Sequence, residues 1–528
     1  MKSIVMRLLA VGILLIQATT ESKAQPTFPV LYKGEFPMKA TYKKLSEDRS
    51  KILVGDFKEI GMVESKNGKL IWKLVFKEKF DKKKCINWDW LQEDQVVQLT
   101  FKGEEKGEEK VVLINESNGD VVEQGNKKVI KYVRDRKAKS LKNIVFIPDM
   151  DLTVKLSYKK KNFVSAKNGS TTQMEVSCNG SKSWSTEIQG KVVRSLCATM
   201  DFAGFGGDLL DLQVVGNKVF VIYDGISVLD LNTGALLWTV SYDNSDYDGG
   251  LFKQKQTLGR AALPYFDKKS VYIVDLSKNN HDIKKYDIEN GKILWQSPKF
   301  DKDAVVPELA IEGKVLLARF GGIIELQTLS GGSDGPAKCK SEPKQVGEFG
   351  LKAYDTETGQ IVWETSALKS ILGDKFSSSI SNLLVQNKLA WVASDKFIYG
   401  FEPQTGKAKF QIATSKMKVG EVQELFVNKG NIHFEGTKGV GSLKEENAEV
   451  NFSVNTGKCL GTMLIGETYY VWTGKNLTEK SKFVRVDLAN GKLIGKIDDT
   501  FYPYFTLDGS EFTKFIGQKL WRYKTQAD

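Results

Sequence analysis

Three carboxylates stand within six residues in Ser241-Tyr-Asp243-Asn-Ser-Asp246-Tyr-Asp248-Gly-Gly250. Hard oxygen donors crowded before a Gly pair suit Ca²⁺, which takes about 6–8 oxygen ligands. The spacing is not that of an EF-hand loop, and acidic turns also arise at the solvated edges of sheets. Asp243, Asp246 and Asp248 are therefore either calcium donors or a solvated turn, and the residues alone leave both open. There are two histidines, His281 in the turn-like Asn279-Asn-His-Asp282 and His433 in the strand-like Asn431-Ile-His-Phe434. Neither has Cys or carboxylate at ligand spacing, so both read as structural. Five cysteines (Cys85, Cys178, Cys197, Cys339 and Cys459) are widely spread, and the odd number leaves at least one unpaired. Export would permit disulfides, with 178–197 the closest pair, but the spacing demands none. Without a C-x-x-C, zinc and redox readings fail; small buried side chains in strands are expected.

No H-E-x-x-H, G-x-S-x-G, P-loop or dinucleotide fingerprint occurs. Gly204-Phe-Gly-Gly207 and Gly331-Gly-Ser-Asp-Gly335 lack any phosphate-binding context. No catalytic, cofactor-binding or metal-binding residue is assigned from the sequence, and no cofactor is expected.

The elements that would position any site are announced by a repeated phrase. It is Ala353-Tyr-Asp355-Thr-Glu-Thr358-Gly359-Gln-Ile-Val-Trp363, with close copies at 228–238 and 285–295. Each copy reads as strand, tight turn, strand. The Asp turns its carboxylate onto nearby amides, and the Gly supplies positive φ without steric cost. Along the following strand, Gly+2 and Gly+4 share a face, so the Trp falls beside an apolar partner as a wedge between neighbouring sheets. The same offset recurs at Gly68/Trp72, Gly180/Trp184 and Gly517/Trp521; worn copies keep the turn at Gly119, Gly406, Gly457 and Gly491. The turn glycines from 68 to 457 are 47 to 68 residues apart. Further strand signals lie between them, as a propeller blade of three or four strands requires. The spacing predicts an all-β, eight-bladed propeller, seven blades being the alternative count. The short last repeat is expected to close by completing a sheet begun at the other terminus.

The phrase resembles the tryptophan-docking motif of the PQQ-type quinoprotein propellers, A-x-D-x-x-T-G-x-x-x-W. Residues 353–363 match it at every defined position and 228–238 at all but the first. The resemblance implies a PQQ-like β-propeller from about residue 60 onward. Catalytic members are expected to carry adjacent cysteines, a Trp floor and Glu, Asn and Asp ligands for calcium. No adjacent cysteines occur here, while Trp88, Trp90, Trp391 and Trp472 stand outside the docking role and one of them could supply a floor. The resemblance thus points to a non-enzymatic member. In fold it is similar to the propeller lipoprotein of the outer-membrane β-barrel assembly machinery, without that protein's lipidation Cys.

Residues 1–24 read as a secretory signal: Lys2 and Arg7, the apolar Leu8–Ile16, then Ser22-Lys23-Ala24. A single propeller domain over 25–528 is expected to follow, exported to the periplasm or secreted. No other segment is long and apolar enough to span a bilayer, and with no Cys before position 85 no lipid anchor is expected. Net charge is +12, from 77 basic and 65 acidic residues. Basic runs at 82–84, 134–139 and 159–161 read as solvated loops or as contacts to an acidic partner. No nucleic-acid-binding module is visible. Five N-x-[ST] sequons, at Asn115, Asn168, Asn179, Asn451 and Asn476, reflect turn composition. The stretch 327–350 interrupts a hairpin, and the N-terminal repeats depart most from the phrase and carry the basic runs; a partner is expected first at these two places. The expected function is an exported, non-enzymatic scaffold for protein–protein interaction at the bacterial envelope. The alternatives are a quinoprotein oxidoreductase with an atypical pocket and, more weakly, binding of an acidic glycan.

Overall fold

The computed structural model describes residues 28–525 apart from breaks, the longest at 127–143, 161–170, 195–207 and 366–379, the others of at most six residues. The expected signal segment and the basic run 134–139 lie outside the described residues. Nearly everything described is antiparallel β-structure. Among the described residues there are nine four-stranded sheets, one six-stranded sheet and one two-stranded ladder. The α-helix among the described residues is Phe76–Phe80. The chain forms two compact units. One comprises Met1–Ile130, Thr437–Ser442 and Val450–Asp528, and the other Lys131–Gly436 and Leu443–Glu449.

The second unit shows the repeat most clearly. In the sheet over 211–240, strands Asp211–Val215, Lys218–Tyr223, Gly225–Asp230 and Leu236–Val240 pair in sequence order. The two central strands are buried almost throughout, as both of their faces meet neighbours. The outermost strand exposes Leu236 and Leu237 and buries Trp238. Apolar side chains of consecutive sheets pool into shared clusters; Phe220, Ile222 and Val228 of this sheet join Val271, Ile273 and Tyr286 of the next. Burial of this kind, at about 25 cal/mol per Å² of apolar area, is what holds one sheet to its neighbour.

The docking phrase is realised residue by residue. Asp355 Oδ1 accepts from the amides of Glu357 at 3.0 Å and Thr358 at 2.8 Å and from the Thr358 hydroxyl at 3.0 Å. Those Thr358 bonds hold its carboxyl below the ordinary range. Gly359, at φ 71°, donates its N–H to the Asp355 carbonyl at 2.8 Å. The Trp then reaches the turn of the following sheet. Indole N–H groups of Trp184, Trp238, Trp295 and Trp363 donate to the carbonyls of Leu231, Ile288, Thr356 and Pro403 at 2.9, 3.1, 2.8 and 2.7 Å. In the first unit Trp72 does the same to Glu116 at 2.6 Å. Each of these rings also lies against the turn glycine of that next sheet: Trp72 on Gly119, Trp184 on Gly234, Trp238 on Gly291, Trp295 on Gly359 and Trp363 on Gly406.

Three details depart from the sequence reading. The sheets of blade type outnumber the eight, or seven, repeats inferred from turn glycines. One reason is that Gly457 lies beyond its sheet's outermost strand, Val450–Asn455. The turn there is made by Ala448, at φ 57°, whose N–H donates to the Lys444 carbonyl at 2.8 Å; with no glycine to mark it, that turn was hidden. Another is that the Gly491 repeat is already a complete four-stranded sheet over 459–497. The sheet shared by the termini comes after it: Tyr504–Phe505, Glu511–Ile516 and Lys519–Lys524, with Val30–Glu35 outermost. Trp521 consequently sits on the third strand of that sheet and not on the outermost one, and the ring beside Gly68 is that of Tyr32.

Candidate functional site

A cavity of about 430 Å³ opens in the second unit where three consecutive sheets end. The strand Trp184–Lys191 brings Gln189, Gly190 and Lys191; the hairpin of Lys218–Tyr223 and Gly225–Asp230 brings Tyr223 and Asp224; Leu236–Val240 and the residues after it bring Thr239, Ser241 and Tyr242. The third wall is Asp275, Ser277, Asn280 and Lys284, from the hairpin joining Ser270–Asp275 to Asp282–Asp287. The first two sheets are stitched at the rim, where the Asp224 N–H donates to the Lys191 carbonyl at 3.0 Å.

Two ion pairs line this space. Lys191 Nζ lies 2.9 Å from Asp224 Oδ2, the Asp side chain being almost wholly buried. Lys284 Nζ lies 2.5 Å from Asp275 Oδ2 and 3.8 Å from Asp282 Oδ1, with all three side chains buried. Asp275 also accepts from the Ser277 amide and the Asn280 side chain, each at 2.9 Å. Burial works against its charge, yet the bonds from Lys284 and Ser277 hold its carboxyl below the ordinary range. Asp282 stands directly opposite Asp275 across the strand pair. Burial pushes its carboxyl up. The Tyr223 hydroxyl shares a hydrogen bond of 2.7 Å with Ser227, and burial raises its pKa. Its ring fits between Gly190 and Gly225, where an added Cβ would approach it to 2.6 Å on either side.

A second feature of this unit is an extended arm. Strands Val315–Gly332 and Gly335–Asp355 pair from Val315↔Asp355 to Gly332↔Gly335, well beyond the blade. Lys253–Leu258 adds to the outer part of Val315–Gly332, and Asp246–Gly249 adds to Lys253–Leu258. Two insertions far apart in sequence thus form one sheet. The stretch 327–350, expected as an interruption of a hairpin, is its continuation.

The residues singled out from the sequence fall in different places. Asp243 lies outside the described residues, while Asp246 and Asp248 belong to the arm's edge strand. Among the described residues no three His, Cys, Asp or Glu side chains gather as a metal site. His281 adopts φ 61° in the turn beside the cavity residue Asn280. His433 is buried against Phe426, at 5.4 Å between ring centroids, and burial lowers its pKa. Cys85 and Cys178 are buried thiols, that of Cys85 pushed up to about 11 by burial. Cys197 lies outside the described residues. Trp391 is buried in an apolar cluster and stacks on Phe410, and Trp90 donates to Glu116 at 2.8 Å. The cavity residues themselves were missed. Their signal was polar residues where buried strands call for apolar ones: Asp275 ending Val-Tyr-Ile-Val, and Lys284-Lys285 inside Asp-Ile-Lys-Lys-Tyr-Asp.

No curated protein sequence matches the chain. Among solved structures it is similar to BamB from Moraxella catarrhalis, at 14% identity over 74% of this chain and 97% of that one, with a TM-score of 0.35. A second similar structure is described as a eukaryotic initiation factor, at 10% identity over 93% of this chain and 92% of that one, with a TM-score of 0.33. The model of the family described as outer membrane protein assembly factor BamB matches residues 176–351 and 342–494, together more than half of the chain. With its docking tryptophans and four-stranded sheets, the chain belongs to that family of PQQ-like β-propeller repeat proteins.

Proposed function

We propose that this protein is an exported, non-enzymatic β-propeller scaffold that docks another protein at the bacterial envelope, in the periplasm or beyond it. The observation that carries the reading is the arm. Its strands run 18 and 21 residues, far past the length that blade packing uses. Extra length that builds no core is most economically explained by contact with a partner. The family description, which names outer-membrane protein assembly, makes an envelope protein the partner class of choice. No helix among the described residues is long and apolar enough to cross a membrane.

The test compares the parent protein with a variant in which residues 322–347 are replaced by a short Gly-Ser turn. Both are cross-linked in native envelopes and purified. A partner recovered with the parent and lost with the variant, at unchanged melting temperature, is the expected outcome. Recovery of the same partners by both sinks the reading. Adding PQQ with Ca²⁺ is expected to leave the melting temperature unmoved. Stabilisation by a few kcal/mol, as for a ligand far above its Kd, would instead establish the quinoprotein alternative.

A further inference from the structure

The cavity between the three sheets is not demanded by the repeat. Counting from the residue paired with the docking Asp or Glu, the position of Asp275 is taken by Tyr223, Phe320, Ser394 and Thr473 in other sheets, and by Asp56 in the sheet that contains Lys51–Gly55. The position of Lys284 is taken by Ser227, Lys352, Tyr399 and Val484. The blade therefore folds with hydroxyl or aromatic groups at the first position and with hydroxyl, aromatic or aliphatic ones at the second. Where Lys352 repeats the Lys, the position of Asp275 holds Phe320, and the acid Asp56 is only half-buried. In this one repeat it carries instead two buried carboxylates face to face and a buried Lys. Like charges directly opposed on a sheet destabilise it. A buried ion pair also gains little over a well-packed apolar pair. Such groups retained at the wall of a cavity mark a binding site better than a structural one.

The lining chemistry narrows the ligand. Lys191 and Lys284 face the space with Asp224 and Asp275, so cationic and anionic groups on the wall balance. That arrangement gives a charged ligand no net attraction, but it sets strong donors beside strong acceptors. Gln189 and Asn280 add amides, Thr239, Ser241 and Ser277 add hydroxyls, and Tyr223 and Tyr242 add aromatic rings. Vicinal hydroxyls, each both donor and acceptor, match such alternating partners. The volume lies within the ~300–1,000 Å³ of small-molecule sites. We propose that the cavity walled by Lys191–Asp224 and Asp275–Lys284 binds a neutral saccharide of one or two rings, a function separate from partner docking by the arm.

The test is a glycan array of neutral and uronic-acid oligosaccharides, followed by calorimetry of the strongest hit with the full chain. Saturable binding to a neutral oligosaccharide is expected. Lys191→Met and Asn280→Ala should each weaken it at least tenfold, and the remote, exposed Lys407→Ala should leave it unchanged. If either variant unfolds, hydrogen exchange on the parent protein decides; protection on binding should appear at 223–224 and 275–284. Four outcomes would overturn the proposal: no neutral glycan bound, binding confined to uronic acids, binding indifferent to both variants, or protection elsewhere.

Discussion

A Cβ placed on Gly359 would lie 2.5 Å from the Trp295 ring, whereas one on Gly430 would meet nothing within 4 Å, although both residues have φ near 70°. The pair separates two reasons for glycine. Gly430→Ala should cost only the left-handed backbone penalty, about 1–2 kcal/mol. Gly359→Ala should cost that plus overpacking of the Trp wedge, a further ~1–3 kcal/mol. Urea unfolding followed by circular dichroism reads the difference, and equal costs would mean that Trp295 yields freely. Removing the wedge itself, by Trp363→Ala, should cost about 3–5 kcal/mol. The opposed carboxylates make a different demand. Asp282 keeps its proton to a higher pH folded than unfolded, so between the ordinary carboxylate pKa of about 3.9 and its raised value the folded protein binds more protons, and stability falls as pH rises. Asp275 runs the other way: its lowered pKa contributes stability above the ordinary range, lost as pH falls through the folded value. Asp282→Asn should therefore stabilise at neutral pH, and Asp275→Asn should destabilise. Unfolding curves at neutral and mildly acidic pH check both signs.

At the scale of elements, the docking phrase was legible because each of its parts has one physical job. Asp355 ties the turn, Gly359 takes φ above zero and Trp363 fills the gap to the next sheet, so type and spacing are both constrained. Ala448 shows the limit, since an alanine in the same backbone conformation sends no signal. The cavity was illegible because it needs groups from three sheets, and no periodicity links Lys191, Asp224 and Lys284. The arm was half legible: composition around Gly331 and Pro336 suggested a loop, but the pairing of 253–258 with 325–330 is long-range. Its outer strand also explains its own residues. Beyond Leu351, whose carbonyl still accepts from the Thr365 N–H at 2.9 Å, no strand among the described residues continues the ladder on the far side of Gly335–Asp355, and there Lys340, Pro343 and Lys344 are exposed. Lysine and proline are what edges use against uncontrolled pairing. The triple change Lys340→Thr, Pro343→Val and Lys344→Thr should leave the monomer's unfolding midpoint nearly unchanged yet promote self-association. Sedimentation velocity across a concentration series would show it, and a strictly monomeric variant would mean that the edge is already protected in another way.

For the whole molecule, the decisive long-range feature is the sheet shared by the two ends of the described chain. Val30–Glu35 pairs antiparallel with Lys519–Lys524, Lys524 donates to the Pro29 carbonyl at 2.9 Å, and Phe28 is buried among Tyr470, Phe483 and Phe512. Closing a loop this long costs entropy that grows only slowly with length, so a short strand with one anchoring ring is enough. The same contact delays completion of this sheet until residues 519–524 are made, because pairing at such separation is slow. Phe28→Ala should cost about 3–5 kcal/mol in the unit that holds this sheet. A chain begun at residue 37 should fare worse, leaving Lys519–Lys524 as an open edge prone to association. Adding a peptide of residues 28–36 should restore both the lost stability and the monomer, as a strand supplied in trans. If the shortened chain melts with the parent and ignores the peptide, the terminal strand is an ornament of the sheet and not its closure.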